Sequence, residues 1–256
     1  MRRRVPFHVL VLAALAAWGS IAFAQLPWQT PSWTPAAGGA TVSFRWVNNT
    51  TNAALTGTTF TAGTSNAVGS NGTIGANDLV LVEIGIQTGG SDPGAIAVAG
   101  YTSLVQLWTG ANFFRTAVFE AIPGSASTPA VTWANSGSVP ATNACWIMID
   151  YTPTSGTPSI DTSGINANTS STNMTANSIS PSGSADMLIG FWGQYGNQGG
   201  YAGPATMTQR ASTSSFSGAE CLVAEKQLAA SGATGNFVAT QGGASPSHGA
   251  LVAITP

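Results

Sequence analysis

The sequence predicts an all-β fold, an antiparallel β-sandwich of jelly-roll type built from two duplicated halves. About a dozen short runs rich in β-branched and aromatic residues are separated by Gly, Asn, Ser and Pro, which are turn residues. No stretch keeps the 3.6-residue periodicity of an amphipathic helix. A repeat is the third observation: Ala76–Val82 (ANDLVLV) returns as Ala185–Phe191 (ADMLIGF), and similar segments follow each start in the same order.

The N-terminus predicts export. Residues 2–4 are all Arg, an apolar run follows at 9–17, and Ala22 and Ala24 stand where signal peptidase reads small residues. We therefore predict a signal peptide over 1–24 and a secreted or surface-exposed mature protein that begins at Gln25. The competing interpretation is a retained anchor, because 5–24 approaches the roughly 20 apolar residues that span a bilayer. The Gly19-Ser20 pair and the Ala-x-Ala ending favour cleavage, and no later segment predicts contact with a membrane.

Three regions follow from composition. Residues 25–40 are rich in Pro and contain Trp28 and Trp33, as expected for an N-terminal arm. Residues 41–256 form the predicted sandwich, with internal copies at about 41–153 and 154–256. Because no clear linker separates the copies, one sandwich made of two halves is favoured over two small domains.

The predicted strands are bounded by turn residues throughout the sandwich. The strand over 78–86 is apolar on both faces, which predicts a central position in its sheet. Asp78 and Asp186 begin matching strands, and we expect each carboxylate to close a turn by accepting backbone N–H groups. The strands are predicted at 41–47, 57–62, 78–86, 102–108, 113–121, 130–133, 144–151, 186–193, 206–211, 219–226, 236–240 and 250–255, with weaker ones near 159–162 and 174–179.

Charge excludes a nucleic-acid partner. Removal of the signal peptide leaves four basic residues against nine acidic ones, a net charge of −5. Neutralising phosphates requires clustered Lys and Arg, which this chain lacks. Charged residues make up only 6% of the chain, so its solubility depends on Ser, Thr, Asn and the backbone.

Cys145 and Cys221 each lie in an apolar strand-like run. In an oxidising compartment they are candidates for a disulfide. The alternative is two buried thiols that behave as small hydrophobic side chains. Neither cysteine has the spacing of a metal or redox motif, and we predict no metal and no cofactor.

The sequence predicts no enzyme. His248, the one histidine outside the predicted signal peptide, lies in a small-residue stretch that we interpret as a turn, and no G-x-S-x-G motif is present. A glycosidase pair could be drawn only from the carboxylates, and nothing in the sequence brings two of them together. Glu120 and Glu225 fall at equivalent positions of the two copies, which favours a repeated structural role at a strand edge. The carboxylates considered were Glu83, Glu120, Asp150, Glu220 and Glu225.

One Gly-rich stretch is the candidate binding surface. It combines flat aromatic faces with amide groups, the chemistry that suits sugar rings. The competing interpretation is an ordinary long loop, in which the tryptophan only continues a core strand. The residues concerned are Trp192, Gln194, Tyr195, Asn197 and Tyr201.

A resemblance to a known family rests on four segments of the second half. They are DMLIGFWG from 186, ATMTQRAS from 205, AASGATGNFVATQ from 229 and HGALVAITP from 248. With them the chain resembles Gly/Ala/Ser/Thr-rich β-sandwich domains of bacteriophage virion proteins, such as tail, fibre and decoration components, and of secreted bacterial surface proteins. The resemblance spans about 78–256, implies a sandwich fold and a role on a surface, and brings no catalytic residues with it. The export signal departs from virion members and favours a host-encoded surface protein or an unusual virion component.

These observations predict a non-catalytic extracellular structural or interaction protein presented on a cell or virion surface. The partner classes left open are a surface glycan, another surface protein and further copies of the same chain. A carbohydrate-binding adhesion module is the first alternative, and a polysaccharide hydrolase is the second.

Overall fold

The computed structural model describes residues 40–53, 68–69, 74–88, 91–109, 114–124, 133–135, 141–196, 198–213 and 218–256. All regular structure in these ranges is β-strand. Within them, no helix is long and apolar enough to cross a membrane. The predicted signal peptide, nearly all of the predicted arm and the strand predicted at 57–62 lie outside the described residues.

The first half of the chain forms a six-stranded antiparallel sheet and a short two-stranded ribbon. The strand order in the sheet is β2-β1-β8-β3-β6-β5, and the ribbon pairs β4 with β7. The strands are β1 Val42–Ala53, β2 Val68–Gly69, β3 Leu79–Thr88, β4 Ile96–Val98, β5 Thr102–Thr109, β6 Phe114–Ala121, β7 Trp133–Asn135 and β8 Ala141–Pro153.

The second half forms a five-stranded antiparallel sheet with the order β11-β12-β10-β13-β9. Its central strand β10 matches β3, and both are apolar on both faces, as the sequence pattern of 78–86 predicts. The strands are β9 Ser159–Ala176, β10 Met187–Tyr195, β11 Thr208–Ser212, β12 Ala219–Gln227 and β13 Phe237–Thr255.

The two sheets share one strand order. When only the strands of each sheet are numbered along the chain, and the two-residue β2 is left out, both sheets have the order first, fifth, second, fourth and third strand. The register agrees as well. Leu81 of β3 pairs with Glu120 of β6. Ile189 of β10 pairs with Glu225 of β12. Glu120 and Glu225 therefore occupy corresponding positions, but β6 and β12 each lie between two strands, so neither forms a sheet edge.

The two sheets pack face to face around one inner core. That core draws on both halves of the chain, so neither half buries its inner face alone. The third strand of each sheet contacts the first strand of the other across this core. β5 contacts β9, and β11 contacts β1. Its largest members include Leu79, Leu81, Phe114, Ile147, Tyr151, Ile189, Phe191, Val223 and Val252.

The outer face of each sheet is buried too. On the first sheet, Ile96 and Val98 of the ribbon strand β4 join a cluster with Trp46 and Trp146. On the second sheet, Met174, Ile179 and Phe237 join a cluster with Trp192 and Leu222. Burial on both faces explains why the central strands are continuously apolar rather than alternating.

Two strand predictions in the second half were wrong in extent. Segments 236–240 and 250–255 were predicted as separate strands, but they belong to one strand, β13, and the weak predictions near 159–162 and 174–179 merge into β9. The linking residues are small and polar and therefore read as turns in sequence. They stay in strand conformation because β9 and β13 pair along almost their whole length, with register shifts between Thr240 and Ser245 and between Ser245 and Ser247.

A disulfide joins the two sheets. Cys145 of β8 and Cys221 of β12 are bonded, with 5.8 Å between their Cα atoms. Gly85 of β3 lies beneath them, because a Cβ added there would stand 2.7 Å from the Cys145 Sγ atom. Of the two alternatives left open by the sequence, the structure contains the disulfide and no free cysteine among the described residues.

Candidate functional site

The predicted sugar-binding stretch begins at the end of β10. Trp192 and Gln194 are both fully buried. Trp192 belongs to the cluster on the outer face of the second sheet, and the Gln194 side-chain amide donates to the Glu220 carboxylate. Neither side chain presents a surface to a ligand. Asn197 lies outside the described residues.

The two tyrosines of the stretch are half-buried and lie on opposite faces of the second sheet. Tyr195 packs against the inner core. Tyr201 packs against the outer cluster, and its hydroxyl donates to the Glu220 carbonyl oxygen over 3.1 Å. The structure thus does not combine the predicted residues into one aromatic platform.

His248 lies in β13, paired with Gly193 of β10, and the prediction of a solvated turn was wrong. The pairing of β13 with β9 and β10 carries the strand through this small-residue stretch. The imidazole Nδ1 atom is hydrogen-bonded to the Thr116 hydroxyl over 3.0 Å. Its ring stacks on Phe114 with 5.6 Å between centroids. Burial, aided by the charge of Arg115, lowers the pKa of His248 to about 4, so the ring is neutral at neutral pH.

This histidine predicts a loss of stability in weak acid. The ordinary histidine pKa of 6.5 applies to the unfolded chain, and the folded value is about 4. Between these two pH values the unfolded state binds a proton that the folded state does not, so the free energy of unfolding falls as the pH falls, by up to about 3 kcal/mol. Denaturation of the wild type and of His248→Gln over this range measures the effect. A stability difference between the two proteins that does not change with pH would contradict it.

The disulfide and this histidine occupy corresponding places. Gly85 pairs with Cys145 in the first sheet. Gly193 pairs with His248 in the second. By the same correspondence Thr116 of β6 matches Cys221 of β12. The Cys145–Cys221 disulfide and the Thr116–His248 hydrogen bond therefore join corresponding pairs of positions, and each links the two sheets.

The carboxylates considered as catalytic candidates lie in different environments. Glu83 is fully buried and Glu220 nearly so, whereas Glu225 binds Tyr151 and Arg210. Asp150 is buried beside Asp78, and burial, followed by the charge of Asp78, raises the pKa of Asp150 to about 8. Four of the five candidates, Glu83, Asp150, Glu220 and Glu225, are thus buried.

A cavity of about 620 Å³ lies at the entry to β3. Its lining includes the ion pair between Arg45 and Asp78. Burial would raise the pKa of Asp78, but the backbone N–H of Gly75, the side chain of Thr152 and the guanidinium of Arg45 together hold it below its usual range. The Gly75 N–H bond is the turn closure predicted for this aspartate. The cavity thus presents a satisfied ion pair rather than a reactive group.

The corresponding place in the second half holds two carboxylates. Arg45 has no register partner in β8, because the strand pairing shifts between Phe44 and Trp46 of β1. In β9 the residue at the matching irregularity is Asp161. Burial, together with Asp161, raises the pKa of Asp186 to about 6. Two carboxylates alone do not make a metal centre, and the described part of the chain contains no group of three or more His, Cys, Asp or Glu side chains that could hold a metal ion.

A second cavity, of about 450 Å³, opens beside Glu120. The carboxylate is half-buried, and burial raises its pKa above the usual value. Sequence reasoning recognised the correspondence of Glu120 with Glu225 but missed Arg210 and Tyr151, which bind only one of the two. No local signal pointed to either residue, because Arg210 lies at a bulge in β11 and Tyr151 reaches Glu225 from the other sheet.

Comparison with known proteins gives no further guide, since the chain matches no protein family, no curated protein and no solved structure.

Proposed function

We propose that this protein is a non-catalytic extracellular protein, structural or interacting, presented on the surface of a cell or a virion. The observation that carries the proposal is the nearly uncharged surface. Among the described residues that are exposed, only Asp92 and Lys226 are charged. Asp92 is already bound by Arg115. The rest are mostly Ser, Thr, Asn, Ala and Gly.

An uncharged surface favours association. Removing an ion from water costs several kcal/mol, and a surface of small polar and apolar groups avoids that cost when it packs against another surface. A partner therefore covers such a surface at little cost in ion hydration. These properties suit a shell, a fibre or an adhesive layer.

The disulfide between the sheets supports an extracellular location. Disulfides form and persist in oxidising compartments and are rare in the cytosol. Cys145 and Cys221 join the two halves of the fold, and the predicted signal peptide over 1–24 would deliver the chain to such a compartment. The choice between cell and virion rests on the sequence resemblance alone.

The proposal includes an origin by internal duplication. Its support is the common strand order of the two sheets and the matching register at Glu120 and Glu225. A non-catalytic role is supported by the engagement of His248 with Thr116 and by the burial of Glu83, Asp150, Glu220 and Glu225.

The experiment combines sizing, binding to whole cells and a glycan array, with the mature form from Gln25. We expect a discrete oligomer or retention on a surface. Raising salt should weaken either only in part, because salt screens charges but not uncharged contacts. A monomer that binds no surface would contradict the proposal. So would hydrolysis of a surface polysaccharide that disappears in Glu120→Gln or Glu225→Gln.

The same experiment tests the carbohydrate-binding alternative. Tyr195→Ala and Tyr201→Ala change the half-buried tyrosines of the predicted stretch on opposite faces of the sheet. Selective glycan binding that either substitution abolishes in a folded protein would identify a glycan-binding module in place of a structural protein.

A further inference from the structure

Glu225 and Glu120 occupy corresponding positions in the two halves of the fold, but their carboxylates have different partners. Thr208 pairs with Glu225, and a bulge at Arg210 follows in β11. Thr102 pairs with Glu120, and a bulge at Leu104 follows in β5. The bulge residues Arg210 and Leu104 therefore correspond in register, each two positions after the threonine that pairs with the glutamate of its own half.

In the second half, the chain supplies a cation to its own glutamate. The Arg210 guanidinium binds the Glu225 carboxylate. The Tyr151 hydroxyl donates to the other carboxylate oxygen over 2.6 Å. The central guanidinium carbon of Arg210 lies 4.1 Å from the centroid of the Phe44 ring. A carboxylate and an aromatic face together make a site suited to a guanidinium group.

In the first half, the glutamate remains but its partners are replaced. Ile254 takes the place of Tyr151. Ile254 pairs with Met187 and Tyr151 pairs with Leu79, and these two partners are the first residues of the matching strands β10 and β3. Ile160 likewise takes the place of Phe44. Ile160 pairs with Ile254, as Phe44 pairs with Tyr151.

Glu120 consequently lacks the counterparts of the tyrosine and the arginine that bind Glu225. Its carboxylate forms no hydrogen bond or ion pair with any residue in the described ranges. The space next to it is the cavity of about 450 Å³, which is lined in part by Thr102, Ile122, Ser159 and Ile160. This volume lies in the range of ordinary ligand sites, about 300–1,000 Å³.

We propose that the cavity at Glu120 binds an arginine side chain presented by a partner protein. The Glu120 carboxylate accepts the guanidinium N–H groups, as Glu225 does in the other half, and the hydroxyls of Thr102 and Ser159 provide further acceptors. The apolar walls at Ile122 and Ile160 favour guanidinium over ammonium, because guanidinium is the more weakly hydrated cation. This site deepens the proposed function, and it rests on that function for its biological use.

The test is a titration of the mature protein with three capped tripeptides, Gly-Arg-Gly, Gly-Lys-Gly and Gly-citrulline-Gly, followed by NMR at the Glu120 side chain. We expect saturable shifts with the arginine peptide and weaker ones with the lysine peptide. The citrulline peptide, a neutral isostere, should cause none. Glu120→Gln should weaken arginine binding by about tenfold or more, the worth of a charge-assisted hydrogen bond.

Leu104→Arg is the matched gain-of-partner variant. The introduced guanidinium should bind the Glu120 carboxylate as Arg210 binds Glu225. We therefore expect this variant not to bind the arginine peptide. Equal binding of the arginine and citrulline peptides would overturn the proposal, as would binding unchanged in Glu120→Gln or tighter binding of lysine. The proposed function fails separately, since a protein that binds the arginine peptide but neither associates nor binds a surface contradicts only that function.

Discussion

Replacing both cysteines, in Cys145→Ala/Cys221→Ala, is expected to lower the free energy of unfolding by about 4 kcal/mol. The disulfide closes a loop with a sequence separation of 76, and a crosslink of this length removes about that much chain entropy from the unfolded state in the loop-closure account. It also fixes β8 of one sheet to β12 of the other within the inner core. Urea denaturation monitored by tryptophan fluorescence measures the change.

Reduction provides the control for the cysteine substitutions. A thiol reductant should destabilise the wild type by a similar amount and leave the double variant unaffected, because that variant contains no disulfide to reduce. A double variant as stable as the oxidised wild type would contradict the role assigned to the bridge.

Glu83 is expected to make the folded state less stable as the pH rises. It lies on the inner face of β3 with Leu79 and Leu81, and it is fully buried. Neither carboxyl oxygen has a hydrogen-bond partner among the described residues. Burial raises the pKa of Glu83 well above 4.5, so the folded state keeps a proton that the unfolded state releases. Above pH 4.5 the free energy of unfolding should fall by about 1.4 kcal/mol for each pH unit, until the folded carboxyl also ionises.

Two substitutions test this account of Glu83. Glu83→Met removes the polar group while nearly keeping the volume, and we expect it to raise the unfolding free energy at neutral pH by several kcal/mol. Glu83→Gln keeps the shape without the ionisation, so the difference between it and the wild type should grow with pH. A difference that stays constant from acid to neutral pH would show that Glu83 does not hold a proton in the folded protein.

The central strands could be predicted from sequence because burial on both faces leaves a direct mark. The run over 78–86 is apolar at almost every position, and β3 lies between β8 and β6 as that pattern requires. The repeated Asp-led strand likewise predicted the correspondence of Asp78 with Asp186. Local apolar patterning and turn chemistry were enough for these elements.

The middle parts of β9 and β13 could not be predicted because their strand conformation depends on pairing rather than propensity. Segment 241–249 contains Gly, Ser and Pro, and only its pairing with β9 and β10 holds it extended. Trp192 illustrates the same limit at the candidate site. Its neighbours in the outer cluster include Met174 and Phe237, both far away in sequence, so the local pattern cannot show that the indole is covered.

The arginine partners lie beyond sequence prediction for a related reason. Arg210 reaches Glu225 because a bulge in β11 displaces it from the regular register. Arg45 reaches Asp78 from a similar irregularity in β1. A bulge changes which residues face one another without a reliable local signature.

An intact-mass measurement on the protein isolated from its source cells tests the proposed extracellular role most directly. After fractionation, we predict a surface or secreted species that begins at Gln25 and is two hydrogens lighter than the reduced chain, because Cys145 and Cys221 are bonded. A cytosolic species that retains Met1–Ala24 and two free thiols would contradict both the export and the disulfide on which the proposed role depends.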